Sequence, residues 1–235
     1  DAKRDEHYMK QRKPAKTPAL KSKRLCIQPM TDEEIEAHIA SLPPEDENRS
    51  AYGEMLDGCR NDPENRLWYA PWKMMLRGSA EYVGDLGFKG PPCRNAVEIG
   101  YGVSPAFEGK GYTTEAVQLL LDWAFRQNGV AFVEAETAPG DAASQRVLEK
   151  CGFVPDGEGK EGPRFVREYP VTQWMPIYML FGLSIGLSLG SASGAVAIGM
   201  SLGLACGLAI GAGMDAADKN KRKKLREERL SEKKE

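Results

Sequence analysis

The sequence predicts a mixed α/β domain followed by a pair of apolar helices. Three observations carry this. Between residues 20 and 170, short extended-type segments alternate with segments whose apolar residues recur at helical spacing. A glycine-rich turn, Glu108-Gly109-Lys110-Gly111, joins one of the extended segments to one of the helical ones. From Tyr169 through Met214 there is no charged residue, and glycines recur at every fourth position.

Residues 1–19 are polar and basic, are punctuated by Pro14 and Pro18, and read as a disordered arm. Arg24 to Met30 alternates weakly and ends at Thr31-Asp32-Glu33-Glu34, a capping box that starts a helix through about Ala40. Pro43-Pro44 breaks it, and residues 45–60 read as a second helix. Leu67 to Leu76 and Glu81 to Phe88 are strand candidates joined by Arg77-Gly78-Ser79, a hairpin signal. Ala96 to Val103 is the next strand. Thr114 to Phe125 is a helix with Ala116, Val117, Leu120, Leu121 and Ala124 on one face. Val130 to Glu136 reads as a strand, Ala142 to Cys151 as a helix, and Phe165 to Tyr169 as a last strand.

The last third is different material. Gly182, Gly186, Gly190 and Gly194 form one set, and Gly199, Gly203, Gly207 and Gly211 another. A single helix over this stretch would be about 60 Å long, twice the thickness of a bilayer core. Two helices of about eighteen residues fit, with the turn within Ser191-Ala192-Ser193-Gly194. In water each glycine costs a helix about 1 kcal/mol relative to alanine. A bilayer enforces helix, and small residues at spacing four permit close helix contact. Residues 174–214 are therefore expected to form a glycine-zipper transmembrane hairpin, with residues 215–235 as a charged cytoplasmic tail. Basic residues flank both ends, which by the positive-inside rule places both in the cytoplasm. The alternative is a cytoplasmic protein whose hairpin packs in a soluble homo-oligomer.

The chain has 32 Lys/Arg and 34 Asp/Glu, but they are partitioned into a basic head, an acidic middle and a basic tail. The acidic middle favours cationic or amine-bearing partners. The run Lys219 to Lys224 carries no interleaved aromatic residues, so nucleic acid is not an expected partner. Five scattered cysteines without a Cys-x-x-Cys, and only two histidines, support neither a disulfide framework nor a metal site. The charged first residues lack the pattern of a cleavable signal peptide.

A strand, a glycine turn and a helix in this order present backbone N–H groups at a helix N-terminus, which favours a phosphate. A Walker loop is excluded, because Gly109-Lys110 is followed by Gly111 and Ser104 stands where the first glycine belongs. The run Glu108 to Thr113 resembles the Gln/Arg-x-x-Gly-x-Gly/Ala pyrophosphate loop of the GNAT superfamily of N-acetyltransferases. Ser144-Gln145-Arg146-Val147-Leu148-Glu149-Lys150-Cys151-Gly152-Phe153 is similar to a segment of the branch containing ribosomal-protein N-terminal acetyltransferases. Glu161-Gly162-Pro163-Arg164-Phe165 looks like its closing segment.

The resemblance covers residues 20–170. It implies a central mixed, mostly antiparallel sheet flanked by helices, and acetyl-CoA as co-substrate with no metal. Pyrophosphate would bind at Gly109, Lys110, Gly111, Tyr112, Thr113 and Thr114. Pantetheine would add to the strand edge at Tyr101, Gly102 and Val103 and reach Asp141 and Ser144. Transfer would be direct, to the primary amine of a protein N-terminus or a small molecule. Glu98, on the strand before the loop, is the expected base. Leu148 stands where many members carry a tyrosine acid, so Ser144 is the expected proton donor to the thiolate. Residues that choose the acceptor are expected within 43–66. Departures at Glu108, Asp141 and Leu148 support the competing class, a non-catalytic CoA-binding protein or membrane scaffold. The bland readings are an exposed or ion-paired Glu98 and a Ser144 that serves its own helix start.

Overall fold

The computed structural model describes residues 18–46, 48–170 and 172–231. All but the end of the expected basic arm, residues 1–19, lies outside the described residues. The chain divides into two compact units, Asp1–Glu168 and Tyr169–Glu235.

The first unit is built on eight strands: β1 (Leu20–Lys21), β2 (Leu25–Pro29), β3 (Trp72–Leu76), β4 (Tyr82–Phe88), β5 (Ala96–Val103), β6 (Phe132–Glu136), β7 (Val154–Glu158) and β8 (Pro163–Glu168). Their spatial order is β1-β2-β3-β4-β5-β6-β8-β7. Every neighbouring pair is antiparallel except β5 and β6. A parallel pair needs a crossover, and α4 (Tyr112–Ala124) supplies it. This is the mixed, mostly antiparallel sheet flanked by helices that the sequence led us to expect.

The helix starts are chemical. Thr31 accepts from the Glu34 amide while the Glu34 carboxylate accepts from the Thr31 amide, which closes the capping box and starts α1 (Asp32–Ser41). Arg49 of α2 (Asn48–Asn61) then donates to the Ile39 and Leu42 carbonyls at 2.6 and 2.7 Å and ties the two helices together. On α4 the buried side is Ala116, Val117, Leu120, Leu121 and Ala124, which pack in one core with Leu25, Ile27, Trp72, Leu86, Phe88, Val97 and Ile99. Each such large apolar side chain contributes about 2 kcal/mol on leaving water. A smaller core of Met30, Ile35, Leu56, Cys59 and Ala70 seats α1 and α2.

Three expectations are corrected. The strand expected from Leu67 begins only at Trp72, and Arg66–Tyr69 is a helical turn, α3. Asp62 caps the preceding 3-10 turn with Pro63 in its first turn, and Arg66 binds the Met30 carbonyl at 2.8 Å and the Asp32 carboxylate. Local capping outweighs the β preference of Leu67, Trp68 and Tyr69. Strand β7 was not anticipated, because Pro155, Asp156 and Gly157 are poor strand formers. It is an edge strand with a register shift between Pro155 and Glu158, where such residues are tolerated. The second apolar helix, expected at about eighteen residues, runs on through the charged residues that follow it.

The second unit is a helical hairpin of α6 (Trp174–Ser193) and α7 (Val196–Ser231). Gly194, in the left-handed conformation with φ 72°, caps α6 and makes the turn. Helix α7 runs on for 36 residues, because Ala216 to Ser231 is rich in helix formers and carries Lys223–Glu227 and Lys224–Glu228 pairs one turn apart. Both helices are long and apolar enough to cross a membrane, and only 17% and 11% of their apolar windows is buried. The glycines face each other. A Cβ at Gly182 would overlap the Gly203 carbonyl, and one at Gly186 the Gly199 carbonyl.

Candidate functional site

Strand β5 carries the site, because it outruns its parallel partner. Its pairing with β6 stops at Glu98↔Glu134, while β5 continues to Val103. From Ile99 onward no strand among the described residues lies against that edge. The gap opens into a cleft of about 500 Å³. Tyr101, Gly102 and Val103 form one wall, and Asp141, Ser144, Arg146 and Lys150 of α5 (Ala142–Lys150) and its cap form another. Glu108, Gly109, Gly111, Thr113 and Thr114 close the end.

The closing end is a helix N-terminus. Gly109 and Gly111 have φ of 69° and 77°, a region that glycine enters without a steric penalty. Gly111 caps α4 but offers no side chain to its amides. The first-turn N–H groups of Tyr112, Thr113 and Thr114 have no acceptor within the helix. They form the positive end of the helix dipole, the arrangement that binds phosphate. Arg24 fixes the turn from outside: it donates to the Lys110 carbonyl at 3.0 Å, pairs with Glu115 at 2.6 Å and lies over the Tyr112 ring. Burial pushes the Glu115 carboxyl up, but hydrogen bonds from Ser22 and Arg24 outweigh it and hold the group below its ordinary value.

Across the cleft, the Tyr101 hydroxyl donates to the Ser144 carbonyl at 3.1 Å. Burial pushes that phenol up, so it stays protonated and donates. Asp141 accepts from the Ser144 amide at 3.0 Å and caps α5, and these bonds lower its pKa. Arg146 and Lys150, one turn apart, bring two positive charges to a cleft that also holds Glu108 and Asp141.

Nine of the residues singled out in the sequence line this one cleft: Tyr101, Gly102, Val103, Gly109, Gly111, Thr113, Thr114, Asp141 and Ser144. Three do not. Lys110 turns away to the Ala106 carbonyl at 2.7 Å and stacks near the Phe107 ring. Tyr112 packs against Arg24 and Phe107. Glu98 is ion-paired with Lys89 at 2.5 Å, and Lys89 also holds Glu161 at 2.7 Å. Arg24, Arg146 and Lys150 were missed. The i,i+4 spacing of Arg146 and Lys150 was the available signal; Arg24, 86 residues from the Lys110 carbonyl it binds, left none.

The family model described as acetyltransferase (GNAT) domain matches residues 19–154, over half of the chain. This chain belongs to the GNAT acetyltransferase family. Among curated relatives, the uncharacterized N-acetyltransferase YjdG of Bacillus subtilis (strain 168) is 36% identical over 84 residues, which are 35% of this chain and 50% of that protein. YoaA, an uncharacterized N-acetyltransferase of the same organism, is 26% identical over 151 residues, 60% of this chain and 85% of its own length. The chain thus spans about half the length of the first of these relatives. Among solved structures, RimL, the ribosomal L7/L12 alpha-N-protein acetyltransferase in complex with coenzyme A, superposes with a TM-score of 0.50 at 16% identity. That match covers 64% of this chain and 98% of RimL, and it shows a shared GNAT fold.

Proposed function

We propose that the protein is an acetyl-CoA-dependent N-acetyltransferase acting on a primary amine, tethered to a membrane by residues 174–214. The observation that carries the catalytic part is the unpaired edge of β5 opening onto the uncapped glycine turn of α4. Both are backbone features, so the departure at Glu108 does not remove them. The residues present fit coenzyme A. Gly109 and Gly111 admit close approach of a pyrophosphate, Arg146 and Lys150 offset its charge, and the β5 edge accepts an extended amide chain. The co-substrate supplies the activated acetyl group.

This chain's residues would handle the protons. A base takes a proton from the ammonium to free the amine lone pair, the new N–C bond forms as the C–S bond breaks, the nitrogen gives up a second proton as it becomes an amide, and the thiolate takes up one. Glu98 is our base and Ser144 our donor. Glu98 must exchange Lys89 for the amine to serve in this way. The test is thiol release from acetyl-CoA across a panel of amines and N-terminal peptides. Release with an amine supports the enzyme. Coenzyme A binding without release under any acceptor supports the non-catalytic sensor or scaffold instead.

Membrane attachment rests on the length, apolarity and exposure of α6 and α7. It also rests on the clasp at their open end. The Trp174 and Met175 amides donate to the Asp215 carboxylate, and the Trp174 indole donates to Asp218 at 2.8 Å. A tryptophan with a satisfied polar edge at the end of an apolar helix suits a membrane interface. Full-length protein should stay with membranes through a carbonate wash. Recovery as a soluble monomer without detergent would remove the tether.

A further inference from the structure

On the opposite face of the sheet from Tyr101 lies a second feature. In the β4–β5 register Asp85 faces Gly102 and Gly87 faces Gly100, and the Lys89 amide donates to the Glu98 carbonyl at 2.9 Å. Alternation along a strand therefore puts Asp85, Gly102, Gly100 and Glu98 on one face. A Cβ added at Gly100 or Gly102 would meet nothing within 4 Å. The face is thus a bare glycine floor with open space above it. Glu98 stands at one end and Asp85 at the other, four residues or about 13 Å apart along the strand.

Asp85 has an unusual setting. Its side chain is only 14% exposed. The Tyr52 hydroxyl of α2 donates to it at 2.9 Å, and the Tyr82 hydroxyl of β4 donates as well. His38 of α1 stands with Nε2 4.0 Å from Oδ2 and its ring edge-on to Tyr52. Among the described residues no Lys or Arg is ion-paired with it: Lys73, directly opposite on β3, gives its ammonium to Glu34. A carboxylate taken out of water without a fixed cation is costly. Two phenols occupy part of its acceptor capacity of about four lone-pair sites and leave the rest open. Each phenol oxygen that donates to Asp85 also keeps lone pairs that can accept from an ammonium.

We infer that Asp85, with Tyr52, Tyr82 and His38, is the seat for a second ammonium group of the acceptor, which makes the acceptor a linear polyamine. This rests on the acetyltransferase reading above. The reacting nitrogen sits toward Glu98 and the far nitrogen at Asp85, with the methylene chain over Gly100 and Gly102. The glycine floor admits an unbranched chain, and the length matches an extended triamine rather than a short diamine.

The full-length protein should be tested in detergent with a linear triamine and a monoamine of equal length, by thiol release and by calorimetry. Wild type should prefer the triamine. Asp85→Asn keeps an acceptor for the two phenols and removes the charge. It should raise the KM for the triamine at least tenfold, leave the monoamine unchanged, and retain the thermal shift with coenzyme A. Tyr82→Arg places a resident cation beside Asp85 without altering Asp85 itself, and should abolish triamine binding. Equal use of both amines by wild type, or an unchanged triamine preference in both variants, overturns the seat while leaving the enzyme. No thiol release with any amine, together with no calorimetric binding of triamine, overturns both.

Discussion

The Tyr101 hydroxyl on β5 reaches across the cleft to the Ser144 carbonyl in the first turn of α5, at 3.1 Å. The bond joins the two walls between which a pantetheine chain would run. It also sets the distance between the β5 edge and the Ser144 hydroxyl. Tyr101→Phe should cost about 1 kcal/mol of stability, the ordinary worth of one hydrogen bond. Coenzyme A affinity should fall severalfold, because the walls are no longer held at a fixed spacing. Urea denaturation and calorimetry on the same preparation measure both. A normal affinity would mean that α5 is held in place without this bond.

Gly111 tests the phosphate cradle. Its φ of 77° strains any L residue by about 1–2 kcal/mol, and a side chain there would stand beside Arg24 at the mouth of the turn. Gly111→Val should abolish the rise in melting temperature that saturating acetyl-CoA gives the wild type. An equal rise in both proteins would move the pyrophosphate elsewhere.

The sheet was legible where each strand has one apolar face and a turn at its end, as in Ala96–Val103, which matches strand β5 end for end. It was illegible where pairing is set by partners far along the chain. Among the described residues strand β7 is held only by β8, and its own residues argue against a strand. At the site, the glycine turn and the Asp141–Ser144 helix start were readable because both are local. The Asp85 cluster was not. Its members come from α1, α2 and β4, and only the folded sheet brings His38, Tyr52 and Tyr82 onto one carboxylate. The same holds for Glu98, whose partner Lys89 lies across the β4–β5 connection.

Arg24 and Ser22 anchor the glycine turn through Glu115, and that contact has a pH signature. The Glu115 pKa is lowered in the folded protein from an ordinary 4.5. A lowered carboxyl stabilises the fold above its unfolded value and loses that contribution as pH falls through the folded one. Glu115→Gln should therefore cost on the order of 1 kcal/mol near pH 7, tempered by the exposure of Arg24. The gap to wild type should close progressively below about pH 4.5. Denaturation midpoints at a series of pH values check it. A gap that persists undiminished in acid would assign the loss to packing instead of charge.

The hairpin gives the sharpest contrast, because two glycines of α7 differ only in what they face. A Cβ at Gly211 would press on the backbone of Met175 and Trp174 in α6, whereas one at Gly213 would meet nothing within 4 Å. Valine at either position changes helix propensity by the same amount. Only Gly211→Val should part the helices at the end where Asp215 caps the Trp174 and Met175 amides at 2.8 and 3.2 Å. Those amides begin α6 and have no acceptor within the helix, so their protection comes from Asp215. Losing a charge-assisted bond of about 1.4 kcal/mol accelerates exchange about tenfold. Amide exchange at Trp174 and Met175 in detergent should therefore rise about tenfold in Gly211→Val and stay at the wild-type rate in Gly213→Val. Equal acceleration in both variants would show that the hairpin is held by something other than its facing glycines.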